Sequence, residues 1–175
     1  MFFIITLLFA CKNDLKEVAA MDFNDTLPGI SARNIDFTFS DSAVVQVRLT
    51  GPVMHAHEGD DPHMVFPEGF MVEFYDSLLN VTTTITANYG VHYKKKRIME
   101  AYKNVVVTNY ETGERLDTEE LIWDEKKEII YSNKFVKITS EDGVLYGDTL
   151  IAKQDFSQRR ILHPSGEIEV KDDDE

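Results

Sequence analysis

The sequence predicts an all-β fold, an antiparallel sandwich or roll made by a meander that folds over itself. Three observations carry this. Apolar and polar residues alternate at period two in short runs, recurring at roughly 8–12-residue spacing. Beyond the N-terminus no stretch supports a helix of three turns. The region from Tyr102 to Val170 reads as one unit written twice. In each copy a β-branched run (Val105–Val107, Val136–Ile138) ends at a glycine turn (Gly113, Gly143). A strand carrying Leu121 or Leu150 follows, and a third apolar run closes the unit. Gly113 and Gly143 lie 30 residues apart. A unit this small exposes an apolar strand face that it cannot bury alone, so copies must pair edge to edge.

In chain order, Met1 to Ala10 is an uncharged apolar run, too short for a spanning helix, which needs about 20 residues. It fits the apolar region of a secretory signal. Leu8-Phe9-Ala10-Cys11 resembles a bacterial lipobox, whose cysteine is lipidated after cleavage. Phe9 is bulkier than usual there, and no basic segment precedes the run. Residues 1–10 are therefore read as signal, 11–30 as a polar tether from a lipidated Cys11, 31–170 as the folded domain and 171–175 as an acidic tail. An acyl chain on Cys11 would anchor the domain to a membrane without spanning it.

Ile35, Phe37 and Phe39 share one face of a first strand. Val45, Val47 and Leu49 share a face of the second, which breaks at Gly51-Pro52 before Val53 to His57. After a loop and a Pro67-Glu68-Gly69 turn, Phe70, Val72 and Phe74 face inward. A threonine-rich strand carries Ile85, and the repeats add Val107, Leu121, Trp123, Ile138 and Leu150. Ile161, Ile168 and Val170 lie on the last strands. Gly51, Gly113, Gly143 and Gly147 are assigned to turns or bulges.

Length and composition bound the function. The chain has 175 residues, enough for one domain with a sizeable core. Its formal net charge of -13 argues against nucleic acid as a partner. With Cys11 the single cysteine, no internal disulfide exists. No nucleophile elbow, phosphate-binding glycine loop or His-Glu-x-x-His motif is present. His55-Ala56-His57 would place two rings on one strand face, and His63 or an acid could complete a metal site there. The plainer reading is three histidines in and beside a polar loop, with no metal or other cofactor.

The lipobox and tether, the run Phe66-Pro67-Glu68-Gly69-Phe70-Met71-Val72-Glu73-Phe74-Tyr75-Asp76 and the repeated units together resemble the LptC family of lipopolysaccharide export proteins, in the lipoprotein form of Bacteroidetes-type bacteria. Gly-x-x-Leu-x-Thr-x-x-Leu (Gly113 to Leu121) and Gly-x-x-x-Gly-x-x-Leu (Gly143 to Leu150) are patterns shared with LptA and OstA-like domains. The resemblance spans about Ser31 to Val170. It implies an open, V-shaped β-jellyroll without catalytic residues. Lipopolysaccharide would arrive from an inner-membrane ABC transporter of the LptB, LptF and LptG type and pass to an LptA-like periplasmic protein. Edge strands would make that junction, with Asn34 to Phe39 toward the transporter and Ile161, Ile168 and Val170 toward the LptA-like partner. The location implied is the periplasm, with the anchor in the inner membrane.

Under that reading Phe37, Phe39, Val45, Val47, Leu49, Phe70, Val72, Phe74, Ile85, Val107, Leu121, Trp123, Ile138 and Leu150 line a groove for acyl chains. Lys94 to Arg97 and Arg159-Arg160 could meet lipid phosphates, although solvated hairpin tips are the simpler account. Two rival readings stay open. One is a structural or adhesive envelope lipoprotein in which the same residues fill a closed core. The other is a metal-dependent envelope enzyme centred on His55 and His57.

Overall fold

The computed structural model describes residues 29–153 and 158–168. The signal stretch, Cys11, most of the tether, Val170 and the acidic tail lie outside the described residues. The rest is all β, an antiparallel sheet of 14 strands. In order these are β1 (Ile30–Asp41), β2 (Val44–His57), β3 (His63–Phe66), β4 (Phe70–Tyr75), β5 (Val81–Ala87), β6 (Tyr89–Tyr93), β7 (Ile98–Asn109), β8 (Arg115–Asp124), β9 (Ile129–Ser132), β10 (Val136–Ser140), β11 (Gly143–Gly147), β12 (Thr149–Lys153), β13 (Arg159–Leu162) and β14 (Ser165–Ile168).

Each pass of the meander is bent once, near its middle. β1, β2, β7 and β8 bend within a continuous strand. The other passes are pairs of short strands meeting at a corner: β3 with β4, β5 with β6, β9 with β10, β11 with β12, and β13 with β14. The corners carry residues suited to sharp changes of direction. Asn34, Lys103, Asn104 and His163 have positive φ, Gly69 has φ 86°, and Gly51-Pro52 breaks β2. Hydrogen bonds join neighbouring corners, as from the Asn88 amide to the Lys103 carbonyl and from the Asp148 amide to the Leu162 carbonyl. The bends therefore line up as a spine dividing the sheet into two leaves.

Register fixes which side chains share each leaf's inner face. In the first leaf Phe37, Leu49, Val72, Ile85, Val107, Leu116, Ile138 and Leu145 stand opposite one another from strand to strand. In the second leaf Ala56, Met64, His92, Met99, Trp123, Ile130, Ala152 and Arg159 form the matching row.

The core is densest against the spine. Phe66, Val105, Val136, Ser132 and Leu150 are the most deeply buried side chains, and each sits beside a corner. Two glycines let the leaves meet there. A Cβ on Gly90 would lie 2.4 Å from the Phe70 ring, and one on Gly147 would lie 2.1 Å from an Ile161 methyl. Gly147, assigned to a turn or bulge from the sequence, sits at the corner between β11 and β12 and also serves close packing between the leaves. Gly113 and Gly143 do occupy turns with positive φ.

The Gly69 corner separates backbone geometry from crowding. Gly69 and Gly113 both have left-handed φ, but a Cβ on Gly69 would sit 2.5 Å from the Ala87 carbonyl oxygen, whereas one on Gly113 would meet nothing within 4 Å. Gly113→Ala should cost about 1 kcal/mol for its backbone alone. Gly69→Ala should cost up to about 3 kcal/mol more in urea unfolding, because a backbone carbonyl cannot move aside freely. Equal losses for the two variants would disprove the crowded corner.

An apolar chamber between two leaves

Away from the spine the leaves diverge, and an apolar chamber of about 360 Å³ lies between them. The first leaf contributes Val47, Phe70, Val72, Phe74 and Ile85, and the second Met99, Ala101, Leu121, Trp123 and Ile130. Every lining residue is apolar. Strand alternation explains this, since each is the inward member of its pair. The chamber is therefore an apolar, laterally open space of the size that takes small ligands or parts of larger ones.

The structure places the predicted groove residues in five settings. Val47, Phe70, Val72, Phe74, Ile85, Leu121 and Trp123 line the chamber. Val107, Ile138 and Leu150 lie further along, around a much smaller gap of about 30 Å³. Phe37 and Phe39 continue the inner rows onto the edge strand β1, where they are 46% and 65% exposed. Leu49 packs against the core cluster. Val45 departs from the expected face. The register shifts between Phe39 and Ser40, so Phe39 opposes Val47 while Ser40 opposes Val45. That bulge takes Val45 out of the alternation holding Val47 and Leu49.

Met99, Ala101 and Ile130 were not anticipated. They lie on the second-leaf passes, where the turn-rich sequence around Lys94 to Arg97 hid the alternation. The signal was present in the spacing of Met99, Ala101, Leu121 and Trp123.

The gap under Val107 and Ile138 is bounded by a charged pair. Arg159, on β13, donates from both terminal nitrogens to Glu114, in the turn between β7 and β8, each at 2.5 Å. The pair joins the first leaf to the second. Arg159 holds the Glu114 carboxyl below its usual pKa, and the carboxylate in turn raises the guanidinium. Arg160 is on the opposite face of β13, across from Ile151.

The other sequence candidates resolve differently. Around the Lys94–Arg97 tip, Lys95 bonds the Asp60 carbonyl, Lys96 pairs with Asp61 at 2.7 Å and Arg97 with Glu125 at 3.1 Å. These cations bind the tip to acidic neighbours. His55 and His57 do share an outer face. His55 is hydrogen-bonded to Ser31 at 2.9 Å, and His57 stacks on His63 with centroids 4.6 Å apart. Among the described residues no group of three or more His, Cys, Asp or Glu side chains is placed to hold a metal ion.

Two outcomes follow from this chamber and its charges. Ala101→Phe should fill the chamber, cost no more than about 3 kcal/mol of stability and abolish uptake of an uncharged polarity-sensitive dye; retained uptake by the folded variant would place the dye elsewhere. The second concerns acid. Arg48 depresses the Asp36 carboxyl, Arg159 that of Glu114 and Lys127 that of Asp124, in each case chiefly by a side-chain hydrogen bond. Depressed carboxyls stabilise the fold above their unfolded pKa values, near 4, and lose that contribution as pH falls through the lower folded values. The urea midpoint should therefore drop below about pH 4, and a midpoint unchanged down to pH 2 would contradict these pairings.

Compared with known families, the chain matches the model described as lipopolysaccharide-assembly, LptC-related, over residues 2–162. No curated protein matches it.

Proposed function

Since the chain belongs to the LptC family of lipopolysaccharide-assembly proteins, we propose that its two leaves hold lipopolysaccharide acyl chains and relay the lipid from one partner to the next. Its family role is lipopolysaccharide transport on the periplasmic side of the cell envelope. The relay is the finer reading. An inner-membrane ABC transporter of the LptB, LptF and LptG type would supply the lipid, and an LptA-like protein would take it.

The observation that carries this reading is the chamber, apolar on every side and bounded by both leaves. Acyl chains gain about 25 cal/mol for each Å² of apolar surface removed from water. At about 360 Å³ the chamber accommodates part of a multi-chain lipid, so the remaining chains would extend along the inner rows toward the exposed Phe37 and Phe39.

Two sheet edges support hand-over. Among the described residues β1 pairs only with β2, and at the other end β13 pairs only with β12 and β14 only with β11. Each presents unpaired backbone groups, which another strand can satisfy by augmentation. We assign the β1 edge to the transporter. The β13–β14 edge, carrying Ile161 and Ile168 and followed by Val170, goes to the LptA-like partner. Cys11 would carry the lipid anchor, with the inner membrane as its site.

A photo-crosslinking residue placed singly at Phe74, Trp123 or Met99, with exposed Lys126 as the outward control, tests the cargo in cells. Lipopolysaccharide adducts should form at the three inner positions and not at Lys126. No adduct at any inner position, with the protein folded, would favour the closed structural lipoprotein instead.

A further inference from the structure

We propose that Glu114 and Arg159 form a latch across the exit half of the groove, and that a lipid phosphate opens it by taking Arg159 from the carboxylate. The inference rests on the lipid-carrying reading and concerns how the cargo leaves the chamber.

Three observations support it. The first is position. Apart from His92, the inner rows among the described residues are apolar or uncharged until they reach this pair. Ala152 opposes Arg159 across the β12–β13 ladder, so the arginine ends the row that contains Trp123 and Ile130. The Asn109 amide donates to the Glu114 carbonyl, which places Glu114 at the end of the first leaf's facing row. The pair consequently spans the gap between leaves.

The second observation is the change in free space along the groove. The chamber under β2 to β9 holds about 360 Å³. Beyond it, where Glu114 and Arg159 are part of the wall, the space falls to about 30 Å³. An acyl chain cannot advance toward β13 and β14 without the leaves parting there. The third is chemistry. The guanidinium meets the carboxylate as a two-pronged fork, and the same fork fits a phosphate. Both side chains are partly shielded, at 34% and 24% exposure, so separating them without a replacement anion would be costly. A phosphate supplies that replacement. At the other tip Lys96 pairs with Asp61 and Arg97 with Glu125, and both cations are more exposed, at 52% and 57%, so Arg159 is the more shielded cation placed to exchange.

The test uses photo-crosslinking residues at Phe74, inside the chamber, and at Leu145, a partly buried inner residue beyond the latch. The probes are lipid A with both phosphates, lipid A with its phosphates removed, and inorganic phosphate added to the latter. In the unaltered protein diphosphorylated lipid A should label Leu145 several-fold more than the dephosphorylated form, with Phe74 labelled equally by both. Glu114→Gln should raise Leu145 labelling further without changing Phe74. Arg159→Gln should erase the difference between the two lipids, and Arg159→Lys should restore it in part. Unchanged Leu145 labelling in Glu114→Gln would overturn the latch. A persisting difference in Arg159→Gln would overturn the phosphate assignment, as would rescue by inorganic phosphate, because the anion must arrive attached to the lipid. Absence of labelling at Phe74 in every protein would instead overturn the lipid reading beneath the proposal.

Discussion

Alignment of the strand bends is the constraint on which the rest of the molecule depends. A meander of straight strands would make one open sheet with both faces wet. Here each pass turns at nearly the same height, so the inner faces of its halves come together. The deepest burial follows the bends, at Phe66, Val105, Val136 and Leu150. Thr118 and Ser132 lie there too, and they satisfy each other and the Phe135 carbonyl by hydrogen bonds of 3.1 and 2.9 Å. Those bonds keep two buried hydroxyls from destabilising the seam. A firm spine lets the far ends of the leaves remain apart without loss of the fold.

This division also reconciles two descriptions that look opposed. Alternating apolar strands usually mean a filled core, and along the spine they do fill one. Toward the hairpin tips the same alternation lines a space that remains open, because Val47, Phe74, Met99 and Trp123 are only partly buried there. Closed core and groove are two ends of one wedge, set by distance from the bends.

Much of this was legible in the sequence. Period-two alternation assigned faces correctly for Val47, Val72, Phe74, Ile85, Leu121 and Trp123, and the doubled unit marked out the passes from β7 onward. Local irregularities set the limits. A single bulge moved Val45, and the pattern of its own residues carries no trace of that shift. The openness at Phe37 and Phe39 depends on β1 having no outer neighbour among the described residues, which is a property of topology. Arg159 and Arg160 read as one basic tip. Alternation sends them to opposite faces, and the arginine's partner lies 45 residues away in sequence, beyond any local pattern.

A pocket that selects one pose of one ligand places a few polar groups among its apolar walls. The chamber's lining is apolar but for the indole N–H of Trp123. It can hold hydrocarbon strongly and still leave it free to slide, since burial free energy depends on area and not on direction. Such walls would suit the proposed carrier, whose cargo must move on. The chain's net charge of -13 likewise gives an anionic headgroup little general attraction to the protein. Where the groove narrows, Glu114 and Arg159 supply a directional interaction between the leaves. In the proposed carrier, slippery walls leading to the Glu114–Arg159 pair would separate holding the lipid from deciding when it passes.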